Sequence, residues 1–290
     1  IPAALFAPPA TSPPPAATPA TPATPAPSTD KAEDKPAEEK KDPKKQVKEG
    51  KKEAIEQAVE HKKQDKPKSA SSLWKRVGGS QMVDTIAVGG NDGECVWAIN
   101  RARCLVFRLD NGKWTRVVGK LVSIDVGTDG AVWGLSSTDE VFVWKADKFE
   151  KVPGCSLCHI SVGNAQNVMG VNKKNEVFKW DGKAFAKFES PAFIKVSISA
   201  DGTIWGISKS GQPHCWVAGA WKNMHGKANE IYVGSSDNII SLNMNLGIPA
   251  IWTGSTWKKM VSMHKFKSVC INQNGHVWGC DKQSIAWSKK

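Results

Sequence analysis

The feature that most restricts this chain is a phrase it repeats. Ile124-Asp125-Val126-Gly127-Thr128-Asp129-Gly130-Ala131-Val132-Trp133-Gly134 reads as an alternating apolar strand, a Thr-Asp-Gly turn and a second short apolar strand. Further copies occupy 196–206 and 269–279, and degraded copies occupy 86–98, 160–170 and 231–241. The large residue near the end of the phrase falls at Trp97, Trp133, Met169, Trp205, Ile240 and Trp278, at spacings of 36, 36, 36, 35 and 38. A fixed period of this size implies an array of equivalent units, none of which can bury its apolar face alone.

After each phrase comes a third apolar segment closed by a large residue, as in Val141-Phe142-Val143-Trp144 and Val177-Phe178-Lys179-Trp180. Five residues later a fourth segment opens on an aromatic: Trp114, Phe149, Phe185, Trp221 or Trp257. Turn chemistry fills the gap, as in Asn111-Gly112, Asp181-Gly182 and Thr253-Gly254-Ser255. Four short antiparallel strands in a meander make a propeller blade. The sixth unit stops at Lys290 without a fourth strand, while an orphan one, Leu73-Trp74-Lys75-Arg76-Val77-Gly78, stands in front of the first. The fold expected is therefore all-β: a six-bladed propeller of four-stranded antiparallel blades whose ring is closed by the N-terminal strand, leaving no exposed propeller edge. The blades are expected at about 79–118, 119–154, 155–190, 191–226, 227–262 and 263–290 plus 73–78.

All 13 Trp lie in residues 73–290, which form the expected propeller domain. Residues 1–72 form the expected tail. It is Pro/Ala/Thr-rich to residue 29 and Lys/Glu-rich beyond, a composition that cannot bury a core and reads as a disordered tether, with at most a marginal helix between about 44 and 63. Of the net charge of +12, the tail carries +2 and the propeller +10. A basic domain suits anionic partners, although lysines spread over all blades also describe an ordinary soluble surface. No apolar run is long enough to span a membrane.

Catalytic patterns do not emerge. There is no nucleophile elbow, phosphate loop or helical metal pair, and Asp129 and Asp201 sit where Asx turns explain them. Cys155-Ser156-Leu157-Cys158-His159 resembles a metal or redox motif by its letters, yet no second pair stands at finger-like spacing. Cys270 with Cys280, or Cys95 with Cys104, are placed for disulfides in an oxidising compartment; the odd total of seven favours small buried hydrophobes instead. Neither a cofactor nor an enzymatic activity is expected. Binding remains, with repeated clefts multiplying a weak site when the ligand is also arrayed. Trp144, Trp180, Trp216, Trp252 and Trp287, which precede the rim turns, and Asp181 in one such turn, are the candidate ligand contacts; Trp133, Trp205 and Trp278 read as wedges between blades.

The recurring unit resembles the tectonin repeat. The matching residues are Ile160-Ser161-Val162-Gly163, Asp129-Gly130-Ala131-Val132-Trp133-Gly134-Leu135 and Val177-Phe178-Lys179-Trp180-Asp181-Gly182. The resemblance covers about 73–290. It implies a six-bladed propeller acting as a lectin, as in slime-mould, fish-egg and horseshoe-crab proteins and fungal binders of methylated sugars; similar repeats also occur in intracellular autophagy adaptors that recognise membranes. Met169 for Trp, Ile240-Ser241 for Trp-Gly and Ser199 for Gly depart from the pattern, so fewer than six equivalent sites are expected. The function expected is carbohydrate binding, to glycans repeated on microbial or cell surfaces (lipopolysaccharide and methylated sugars among them), through rim or inter-blade clefts and at an extracellular or cell-surface location. The alternative is a cytoplasmic scaffold docking on protein or anionic lipid. Nucleic acid is not an expected partner, because it would rest on charge alone.

Overall fold

A computed structural model describes residues 74–290; the expected tail, with its marginal helix, lies outside the described residues. Six four-stranded antiparallel sheets form, five of them simple meanders. Blade 1 comprises Thr85–Gly89, Cys95–Asn100, Leu105–Asp110 and Lys113–Lys120. Blades 2 to 5 repeat the pattern and begin with Ser123–Val126, His159–Val162, Phe193–Ile198 and Glu230–Val233. Blade 6 takes three strands from the C-terminus, and its fourth is Lys75–Val77, paired with Ala286–Lys289 through Lys75–Ser288, Arg76–Trp287 and Val77–Ala286. The ring is closed by the N-terminal strand, as the repeat implied. Among the described residues no helix is long and apolar enough to cross a membrane.

First-to-second-strand and third-to-fourth-strand turns share one side of the ring, the turn face. Second-to-third-strand loops and blade-to-blade links share the other, the connection face. In blade 1 the tight turn has Asn111 at φ 50° and Gly112 at φ 76°, the left-handed pair that matches strand twist in a two-residue hairpin.

The core is not one body. It is six clusters, each lying along a seam between neighbouring blades and each holding one closing residue of the repeated phrase. The Gly after that residue has a specific reason. A Cβ on Gly134, Gly170, Gly206 or Gly279 would strike Leu121, Leu157, Phe193 or Phe266, the large side chain at or just before the start of the blade's first strand. Where the entering residue is smaller, Val83 in blade 1 and Ala228 in blade 5, the glycine is replaced by Ala98 and Ser241. Small-for-large exchange thus accounts for the Ser241 departure.

Near the ring axis the blades touch backbone to backbone. Thr128 N donates to Gly163 O across the seam between blades 2 and 3 at 2.8 Å, and Gly90 N donates to Gly127 O at 2.9 Å. A Cβ on Gly163 would overlap the Ser199 carbonyl of blade 4. Gly163→Ala is therefore expected to lower stability by about 1–3 kcal/mol, measured by denaturant unfolding; a loss below a few tenths would mean that the blades separate there without strain.

Candidate functional site: inter-blade seams and the axial channel

Each seam is built from the second strand of one blade and the outer strands of the next. Trp97 meets Trp144 at 5.1 Å between ring centroids, Trp133 meets Trp180 at 5.1 Å, and Trp205 meets Trp252 at 5.4 Å, all edge to face. That geometry aligns a positive ring edge with a negative ring face. Each third-strand Trp also packs on the fourth-strand aromatic of its own blade: Trp144 on Phe149, Trp180 on Phe185, Trp216 on Trp221 and Trp252 on Trp257. Where blade 3 has Met169 for Trp, Trp216 and Trp221 pack on it; where blade 5 has Ile240, Trp287 and Trp74 do so.

All five candidate tryptophans therefore stand in the seams. Trp252 is buried, while Trp144, Trp180, Trp216 and Trp287 are half-buried, and His264 stacks on the Trp287 ring at 3.7 Å. Three indoles are also tied down: Trp221 Nε1 donates to Glu189 O at 3.1 Å, Trp257 Nε1 to His225 O at 2.8 Å, and Trp287 Nε1 to Asp281 Oδ2 at 2.8 Å. Asp181 is exposed and caps its own turn, its Oδ1 accepting from Lys183 N and Ala184 N, both at 2.8 Å. The backbone donors from Ala184 and Lys183 hold its carboxyl below the usual range. At the blade 3 rim the half-buried Trp180 is thus followed by a fixed carboxylate, Asp181.

Asp129 and Asp201 do more than cap turns. Asp129 Oδ1 accepts from Ala131 N at 3.0 Å in its own turn, and its Oδ2 accepts from Ala165 N of the next blade at 2.8 Å. Asp201 likewise accepts from Thr203 N at 2.9 Å and from Ser236 N of the next blade at 2.8 Å. Burial alone would raise the Asp201 pKa, but donors from Ser199, Thr203 and Ser236 outweigh it and hold it at about 2.

The axial channel carries a ring of mostly polar side chains. One residue of each first strand occupies the same register: Ala87, Asp125, Ser161, Ser197, Tyr232 and Cys270, each opposite the closing residue of its phrase. Three of them clip the next blade. Asp125 Oδ2 accepts from Val162 N at 2.7 Å, Ser161 Oγ from Ile198 N at 3.2 Å and Ser197 Oγ from Val233 N at 2.9 Å. Burial pushes the Asp125 pKa up to about 6 against the pull of the Val162 and Val126 donors. A polar residue recurring at 125, 161 and 197 in an otherwise apolar alternation was the available signal.

Toward the connection face the channel is lined by ion pairs, Lys195–Glu230 and Lys267–Asp84, both 2.5 Å. There His159 Nε2–H donates to Val196 O at 2.7 Å, because a carbonyl can only accept. Burial, aided by the Lys195 charge, pushes its pKa down to about 3, so the ring is neutral. The channel cavities measure only about 30 and 20 Å³, room for water and not for an organic ligand.

The cysteine expectations are revised by register. Cys270 faces Trp278 and Cys280 faces Ser268, so those two are not cross-strand partners. Cys95 and Cys104 flank the full length of one strand, Cys95–Asn100, which at roughly 3.3 Å per residue keeps them far beyond bridging distance. All seven thiols are unpaired, and Cys215, Cys270 and Cys280 are buried hydrophobes as favoured. His159 beside Cys158 is occupied by Val196 O, and no metal-binding group of three ligands occurs among the described residues.

A tectonin-domain family model matches residues 44–148 and 132–220, more than half of the chain. The chain belongs to the tectonin family. Tectonin-1 of Physarum polycephalum is 32% identical over 69 residues, a match covering 24% of this chain and 30% of that protein. This tectonin propeller also resembles solved structures. The WD40 propeller domain of Doa1 overlays at a TM-score of 0.53 with 13% identity, over 75% of this chain and 96% of that one. Virginiamycin B lyase from Staphylococcus aureus overlays at 0.52 with 12% identity, over 72% and 81%. At such identities the likeness is one of fold alone.

Proposed function

We propose that the protein is a lectin that binds glycans repeated on microbial or cell surfaces, at an extracellular or cell-surface location, through the rim openings of its inter-blade seams. Binding rather than catalysis is its task. The observation that carries this reading is the repetition of one aromatic seam around the ring, with a half-buried Trp at the rim in four places: Trp144, Trp180, Trp216 and Trp287. A half-buried indole beside a fixed polar group, as Trp180 is beside Asp181, suits a pyranose ring, which has an apolar face and equatorial hydroxyls. Membership of the tectonin family and the match to Tectonin-1 support the same reading. Weak single sites become strong together only on an arrayed ligand, which favours polysaccharide and cell-surface glycans over free sugars.

The full chain is expected to bind a subset of an array that includes methylated sugars and lipopolysaccharide, competably by the free glycan. Asp181→Ala removes only a turn cap and is expected to weaken binding at the blade 3 seam, lowering avidity several-fold with unfolding unchanged. Silence across the array and toward bacterial polysaccharide sinks the reading.

A further inference from the structure

The connection face is not uniform around the ring. Seven large apolar side chains are exposed among the described residues, and six of them lie at or beside the connection face of three consecutive blades, 5, 6 and 1: Met82, Val118, Met244, Leu246, Val261 and Met263. Val118 is 91% exposed, Met263 70% and Val261 66%, which leaves most of each side chain outside the packed fold. The seventh, Val217, precedes a turn on the opposite face.

The segments that carry them are stitched side by side. Phe266 N donates to Gly247 O, Lys282 N to Lys265 O and Val83 N to Ser284 O, each at 2.9 Å. Arg101 N then donates to Asp84 Oδ2 at 2.8 Å, and Arg101 Nε to Val122 O at 3.2 Å. The run from Met244 to Val122 is thus one continuous arc of surface.

Its charge is one-sided. Every arginine of the chain lies between residues 76 and 116. Arg101, Arg103, Arg116 and Lys120 are exposed on blade 1, and Lys265 and Lys282 on the neighbouring blade. Two adjoining open grooves on blade 1, of about 670 and 530 Å³, share Arg103; Arg116 and Lys120 line one, the other runs along the blade to Lys113 near the turn face, and no carboxylate lines either. The only carboxylates in the arc's connecting segments are spent internally. Asp84 pairs with Lys267 and Glu230 with Lys195. Asp281 is buried and accepts from Gln283 N, Ile285 N and Trp287 Nε1. The same face of blades 2 to 4 carries Asp139, Glu140, Glu176 and Glu189 and none of the exposed apolar side chains.

We infer that this arc is a docking surface for an anionic lipid bilayer. Projecting apolar side chains interleaved with Arg and Lys, and with no free acid, match an interface that is negatively charged at the headgroups and apolar just beneath. A soluble polyanion would use the cations but would leave Val118, Val261 and Met263 in water. The inference is independent of the glycan reading, whose seams open at the rim toward the turn face.

The test is flotation of the full chain with phosphatidylcholine vesicles, with and without phosphatidylserine, at low and high salt. Binding is expected only to the anionic vesicles and should weaken with salt. Arg103→Glu with Arg116→Glu should lower the partition at least tenfold, each cation near the surface being worth about fivefold. Val118→Ser with Met263→Ser changes two mostly exposed side chains, so the fold persists, and should lower it by roughly tenfold through lost apolar insertion. Lys209→Glu, on the same face of blade 4, should bind as the parent does. Equal partition to neutral and anionic vesicles, unchanged binding of the Arg103→Glu, Arg116→Glu variant, or binding to heparin or RNA without binding to vesicles overturns the inference.

Discussion

Trp74→Ala is expected to destabilise the protein by about 3–5 kcal/mol, the range for deleting a fully packed Trp, and to unlatch the ring. Trp74 is 4% exposed, and its ring lies 4.6 Å from Phe266 in the seam that also holds Ile240, Leu242 and Trp287. It is the aromatic anchor of the three-residue strand Lys75–Val77, whose pairing alone closes blade 6. Three residues of antiparallel ladder cannot hold a strand in water without such an anchor. Loss of Trp74 should therefore act at both ends of the chain. Amides of Ala286–Lys289, protected by the N-terminal strand in the parent, should exchange faster by a larger factor than amides in blade 3. Uniform acceleration across all blades would mean that the ring opens elsewhere first. A stability loss under 1 kcal/mol would mean that the latch is not held by this seam.

That strand was legible in the sequence because the repeat exposes its own defects. A sixth unit lacking its last strand, and a spare copy of that strand at the front, leave one way to close the ring. The seam tryptophans were legible for the same reason, since Trp133, Trp205 and Trp180 recur at fixed phase. What the period cannot carry is anything that differs between blades. Asp125, Ser161 and Ser197 share a register but not a residue type, so they read as noise in a strand until their side chains are seen clipping the next blade. Cys270 and Cys280 looked symmetric about Gly275, but symmetry about a turn does not fix pairing. Asn272 N–H donates to His276 O across it, and the ladder puts Trp278 opposite Cys270. The arc of blades 5, 6 and 1 was the least legible of all. It gathers residues as distant as Met82 and Met263 from loops that obey no pattern, and only ring closure makes them neighbours. The clustering of arginine before residue 117 was visible, yet without the ring it marked a stretch of chain and not a face.

The Asp125 clip carries a cost that its two serine counterparts avoid, and this sets the pH dependence of stability. A buried carboxyl whose folded pKa is raised from 3.8 to about 6 binds its proton more tightly in the native state than in the unfolded one. Between those values the native state holds more protons, so this group's contribution falls as pH rises and is lowest above about pH 6. The full change is about 3 kcal/mol, at 1.36 kcal/mol per pKa unit. Ser161 and Ser197 perform the same inter-blade clip from the same register with a neutral hydroxyl. Asp125→Ser should keep the bond to Val162 N and remove the charge. Relative to the parent, the variant should gain stability steadily from pH 4 to pH 7, by about 2.5 kcal/mol across the interval, measured by denaturant unfolding at several pH values. Other titrating groups are common to both proteins and cancel in the difference. Asp201 in particular, held at about 2, supplies stability that is present above pH 3.8 and lost as pH falls toward 2, outside this window. Parallel pH profiles for parent and variant would show that Asp125 is solvated by water in the channel and titrates as an ordinary carboxylate. A gap that opens with pH would establish the channel ring as three equivalent clips, one of which the protein keeps charged at a cost in stability.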